Sequence, residues 1–82
     1  MPEGFKEEHS VIYGIKDGLM HIKLNRPEKK NALYPEMFMM IHKQICYAKL
    51  DDTVKAILVY GSNGSFSAGN DIIIILNNNH PK

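Results

Sequence analysis

The stretch that most constrains this chain is Val54-Lys55-Ala56-Ile57-Leu58-Val59-Tyr60, followed at once by Gly61-Ser62-Asn63-Gly64-Ser65-Phe66-Ser67-Ala68-Gly69-Asn70-Asp71. Nearly continuous apolar character over residues 54–60 is the pattern of a central parallel strand covered on both faces. A loop of small residues between such a strand and a helix start gathers several unpaired backbone N–H groups at one point, which suits an oxyanion or a phosphate. The rest of the chain must therefore supply a sheet around residues 54–60 and leave the loop at its rim.

The preceding elements fit that demand. Residues 1–10 carry Pro2, Gly4, Lys6, Glu7, Glu8 and His9 without periodicity and read as a loose lead-in. Residues 11–15 and 19–24 flank Lys16-Asp17-Gly18, the strongest short-range hairpin signal in the chain. In the second strand Met20, Ile22 and Leu24 alternate with His21 and Lys23, which predicts one buried and one solvent-facing side. Asn25, Arg26, Pro27, Glu28, Lys29, Lys30 and Asn31 then form a turn with three cations. Pro35 suits the first position of a helix, and Phe38, Ile41, Ile45 and Ala48 recur at helical spacing up to Leu50. Beyond Asp71, the block Ile72-Ile73-Ile74-Ile75-Leu76 sets context against propensity: its place after the loop predicts the start of a second helix, while its β-branching favours a strand. Residues 77–82 form a polar tail. The 82 residues make one domain at most, α/β in class, with a core expected to supply about 3–5 kcal/mol.

Composition narrows the partners. Ten basic and nine acidic residues leave a formal charge of +1, so no electrostatic footprint for nucleic acid exists. The one cysteine, Cys46, excludes an internal disulfide. Neither a secretory apolar region nor a span of ~20 apolar residues is read, so no membrane segment is expected and an intracellular, reducing compartment is, with peroxisome, mitochondrion and cytoplasm left open. His42 and Cys46, at i and i+4, could offer two metal ligands but find no third, so no metal is expected. Asn63-Gly64-Ser65 fits a glycosylation sequon and is read as a turn.

Several chemistries can be tested on residues 61–71. Gly64 and Gly69 have phosphate-loop spacing, but Asn70 and Asp71 stand where Lys and Ser or Thr would hold phosphates and magnesium. The glycines do not fit a dinucleotide fingerprint. A nucleophile elbow around Ser67 lacks its first glycine, and no acid follows Asp71 to complete a triad in hydrolase order. The reading that remains is an oxyanion site made by main chain, with the N–H of Ala68 aimed at the ligand oxygen and Phe66 anchoring the loop.

Five blocks now stand in order: residues 24–33 (Leu-Asn-Arg-Pro-Glu-Lys-Lys-Asn-Ala-Leu), Pro35-Glu36-Met37, Asp51-Asp52, residues 54–59, and Phe66-Ser67-Ala68-Gly69-Asn70-Asp71. Together they resemble the N-terminal part of the crotonase superfamily, the enoyl-CoA hydratases and isomerases, and the Ser-Ala-Gly-Asn-Asp form looks most like the isomerase branch. The resemblance implies a crotonase-like spiral of ββα units, of which the chain is a partial domain: hairpin, amphipathic helix, buried strand, oxyanion loop and the start of a second helix. It implies acyl-CoA as ligand, no separate cofactor and a place in fatty-acid β-oxidation; the family generally assembles into trimers, but this fragment is expected to lack much of the assembly surface. Ala68 matches the first oxyanion donor, Ser67, Gly69, Asn70 and Asp71 match the segment lining the acyl and CoA site, and Lys30, Asn31 and Ala32 match the approach to the nucleotide end of CoA.

The sequence also departs from the family. No position matches the second oxyanion donor or the proton-moving glutamates, so the chain is expected to bind without turnover, as the N-terminal portion of a longer enzyme or a truncated product. The alternative is a non-catalytic module that binds acyl-CoA or packs against a protein partner. Tyr34 stands where Ser or Thr is common, so the helix is expected to lack its side-chain N-cap. Asp71 reads as a carboxylate near a helix start rather than as a catalytic acid.

Overall fold

A computed structural model describes residues 4–62 and 72–76. Five strands form one sheet in sequence order: β1 (Lys6–Glu8), β2 (Val11–Lys16), β3 (Leu19–Leu24), β4 (Ala56–Gly61) and β5 (Ile72–Ile75). One helix, α1 (Pro35–Leu50), connects β3 to β4. β1, β2 and β3 pair antiparallel, β3 and β4 pair parallel, and β5 returns antiparallel to β4. A parallel neighbour needs a crossover, and α1 supplies it.

The hairpin forms as its turn demands. Asp17 and Gly18 both have positive φ, 54° and 78°, the conformation that lets a two-residue turn match the twist of its strands. Across this hairpin and β4, alternate residues build the core: Val11, then Met20, Ile22 and Leu24, then Ile57 and Val59, all buried beneath α1. Pro35 opens the helix, and Tyr34 before it makes no side-chain cap, in agreement with the missing Ser or Thr.

Several expectations are corrected. The lead-in of residues 1–10 contains a paired strand, β1, joined to β2 through His9 and Ser10, both left-handed at φ 49° and 63°. β4 is covered unequally rather than fully on both faces: Ile57, Val59 and Gly61 are buried toward α1, whereas Ala56, Leu58 and Tyr60 on the other face are half-buried. In place of the start of a second helix, Ile72–Ile75 is a strand, so β-branched propensity, with β4 available to pair, prevails over position after the loop.

The helix is rotated relative to the expected stripe. Its buried residues are Met37, Met40, Gln44 and Ala48, flanked by half-buried Ile41 and Ile45. Phe38 is 57% exposed and Met39 70% exposed. Residues 37–48 hold two overlapping apolar stripes about one residue apart, and the flexible methionines fill the space over the sheet. Gln44, polar in sequence, sits on the buried face.

The open face of the sheet carries an aromatic row. The Phe5 ring lies over Gly14, where a Cβ would displace it, so glycine admits this packing. Phe5 packs 5.6 Å from the His21 ring, and Tyr60 meets that ring edge-on at 6.0 Å. The Tyr60 hydroxyl is 3.4 Å from His21 Nδ1. His21, expected to face solvent, is instead half-buried, and desolvation, followed by the Lys16 charge, lowers its pKa against the opposing pull of Asp17.

Two predictions follow from this packing. Met37→Ala should cost about 2–5 kcal/mol in urea denaturation and Phe38→Ala about 0.5 kcal/mol or less, the reverse of what the Phe38 stripe requires. Because the unfolded chain binds a proton at His21 more readily than the folded one, stability should fall as pH drops below 6.5 toward the lower folded pKa. Denaturation midpoints across that window should lose this part of their pH dependence in His21→Phe.

Candidate functional site

The site begins at the C-terminal ends of β3 and β4. Their parallel register sets Leu24 beside Gly61, so the connection that leaves β3 and the segment that leaves β4 depart from the same edge of the sheet. Residues Lys30, Asn31 and Ala32 belong to the first connection. Ser67, Ala68, Gly69, Asn70 and Asp71 belong to the second and lie outside the described residues, as does the tail 77–82.

The β3–α1 connection is closed by its own backbone. A 3-10 turn, Pro27–Lys29, ends at Lys30 in the left-handed region, φ 51°, and Asn31 follows at φ 57°. Asn31 N–H donates to Arg26 O at 2.8 Å, while Asn31 Oδ1 accepts from Arg26 N–H at 2.6 Å. This reciprocal pair cinches the chain from Arg26 to Asn31, and the Asn31 side chain is fully buried. Asparagine suits the position because it tolerates a left-handed backbone and offers a short acceptor. Asn31 therefore shapes the loop from inside, and Lys30 and Ala32 carry its exposed surface.

Arg26 and Tyr34 are the contributors that the sequence does not reveal. The Arg26 guanidinium lies 4.9 Å above the Tyr34 ring and its Nη1 donates to Ala32 O at 2.9 Å. The Tyr34 hydroxyl is 3.3 Å from Ser10 Oγ. Asn25 donates from its backbone to Ser10 O at 2.7 Å and from Nδ2 to Glu7 at 2.9 Å. The connection is thus tied to β1 and the β1–β2 turn by contacts between residues up to 24 apart, which have no local motif. On the β4 side, Ser62 is buried and its Oγ has no hydrogen-bond partner among the described residues, leaving a hydroxyl at the entry to the glycine-rich segment.

The other candidates separate from this edge. His42 Nε2 and Cys46 Sγ approach to 3.5 Å on the solvent side of α1, and no group of three or more His, Cys, Asp or Glu among the described residues could hold a metal. A groove of about 440 Å³ lies at the opposite end of the sheet, between Ile15, Met20, Gln44 and Tyr47. Among the described residues no helix is long and apolar enough to cross a membrane.

The family model for enoyl-CoA hydratase/isomerase matches residues 14–82. The chain belongs to the enoyl-CoA hydratase/isomerase family. It is 39% identical over 63 residues to human enoyl-CoA delta isomerase 2, an alignment covering 77% of this chain and 16% of that protein. Trans-2-decenoyl-[acyl-carrier-protein] isomerase of Streptococcus mutans is 36% identical over 69 residues, covering 84% and 25%. The crystal structure of an enoyl-CoA hydratase/isomerase from Xanthobacter autotrophicus Py2 superposes with a TM-score of 0.69 at 38% identity, covering 74% of this chain and 23% of that one. The family's crotonase fold accounts for the mixed sheet with its helical crossover, and this chain spans about a quarter or less of the length of these relatives.

Asn31→Ala should destabilise the chain by about 1–3 kcal/mol in chemical denaturation, since Arg26 N–H loses its buried acceptor. Asn31→Asp, which keeps an acceptor at the same reach, should recover part of the loss.

Proposed function

We propose that this chain provides the thioester-binding part of an enoyl-CoA hydratase/isomerase site and binds acyl-CoA without turning it over. Ala68 N–H donates to the thioester oxygen, Ser67, Gly69, Asn70 and Asp71 line the acyl and CoA segment, and Lys30 and Ala32 border the nucleotide end on a loop shaped by Asn31. In a complete site, charge accumulates on that oxygen as an enolate forms, and a well-aimed donor stabilises it by about 3–4 kcal/mol. The observation that carries the reading is the register of Leu24 with Gly61, since two segments far apart in sequence leave the sheet side by side. The family match, which runs through both segments, supports it. No residue of this sequence matches the family's second oxyanion donor or its proton-transferring glutamates, so the ligand is held and polarised but receives no proton transfer.

Calorimetric titration of the full chain with a 3-enoyl-CoA and with free CoA tests the proposal. The thioester should bind more tightly than CoA. Ala68→Pro, which deletes the donor, should weaken the thioester alone by about three- to tenfold, the net worth of one hydrogen bond. Equal affinities, indifference to Ala68→Pro, or isomerisation above the Ala68→Pro background would each overturn it.

A further inference from the structure

The three cations of the β3–α1 connection, Arg26, Lys29 and Lys30, are not equivalent. Lys29 and Lys30 are exposed, whereas Arg26 is half-buried and directs its contacts into the loop itself. Its backbone N–H donates to Asn31 Oδ1 at 2.6 Å, and its carbonyl accepts from Lys29 N–H at 3.1 Å and from Asn31 N–H at 2.8 Å. Its Nη1 donates to Ala32 O at 2.9 Å, with the guanidinium 4.9 Å above the Tyr34 ring.

The segment enclosed by these contacts needs holding. Lys30 and Asn31 are consecutive non-glycine residues in the left-handed region, φ 51° and 57°, a conformation that persists only where its surroundings over-determine it. The Arg26 main chain fixes Asn31, but only the Arg26 side chain reaches past Asn31 to Ala32. A planar fork of donors can lie on an aromatic ring and still donate in its own plane, which a lysine ammonium cannot do. The Tyr34 ring sets that plane, and its hydroxyl, 3.3 Å from Ser10 Oγ, sets the ring. We propose that Arg26 is a positioning residue for the nucleotide end of the ligand, acting through Ala32 and Lys30 without touching the ligand, and that Tyr34 is the platform that fixes it. The inference rests on the acyl-CoA reading above and leaves the charged contact with CoA to Lys30.

Titration of the full chain with free CoA at several salt concentrations separates holding from contact. Arg26→Lys keeps the charge and loses the plane, so it should weaken CoA by about three- to tenfold, the worth of one stacked cation and one hydrogen bond. Arg26→Gln should lose a similar amount with little change in salt dependence, whereas Lys30→Gln should flatten it. Tyr34→Leu should match Arg26→Lys, the double variant should bind no more weakly than either single one, and Tyr34→Phe, which keeps the ring, should retain most of the affinity. In the ligand-free chain, amide exchange at Asn31 and Ala32, whose N–H groups bond within the loop, should quicken in Arg26→Lys and Tyr34→Leu while Ile22 and Ile57 in the core stay protected. Undiminished CoA affinity in Arg26→Lys, additive losses in the double variant, a salt dependence flattened by Arg26→Gln as much as by Lys30→Gln, or unchanged exchange at Asn31 and Ala32 would overturn this inference and leave the acyl-CoA reading standing. An unaltered chain that binds neither CoA nor a 3-enoyl-CoA would overturn both.

Discussion

The parallel pairing of β3 with β4 is the constraint on which the rest of this structure depends. It forces the chain to cross from one end of the sheet to the other between Leu24 and Ala56, and the helix that makes the crossing must bury an apolar side on the strands it spans. Met37, Met40 and Ala48 meet Met20, Ile22, Leu24, Ile57 and Val59 there, and this single layer is the core. The same register brings the exit of β3 and the exit of β4 together, so the element that stabilises the fold also assembles the candidate site.

The site's rigidity comes from outside its own segment. Asn31 closes the β3–α1 connection by bonding both backbone groups of Arg26, Arg26 stacks on Tyr34, and Tyr34 and Asn25 reach the β1–β2 turn. Tyr34 illustrates the exchange: the helix has no side-chain N-cap, worth about 1 kcal/mol, but gains an aromatic platform for the guanidinium. Lys30 is presented by a left-handed backbone that this network holds in place.

The sheet is asymmetric in two directions. Toward α1 its central strands β3 and β4 are buried, and away from it the cover is partial, an aromatic row of Phe5, His21 and Tyr60 beside half-buried Leu58. Along the hydrogen-bonding direction one edge is charged and the other is polyisoleucine.

The sequence by itself determined the hairpin at Asp17-Gly18, the alternation of Met20, Ile22 and Leu24, the helix start at Pro35 and the family, since each is written in adjacent residues or in blocks of fixed order. Tertiary structure alone decided which stripe of α1 faces the sheet, because Met37 and Phe38 belong to overlapping helical patterns that periodicity cannot separate. It decided that β4 is buried on the face toward α1 and half-buried on the other, because covering depends on how many layers exist rather than on how apolar the strand is. It decided that Ile72–Ile75 is a strand, because β4 offered an edge whose hydrogen bonds outweighed the position after the glycine-rich segment. The clasp of Arg26, Asn31 and Tyr34 was likewise beyond the sequence, since a left-handed Asn and a cation–π contact leave no periodic trace and arise only when distant segments meet.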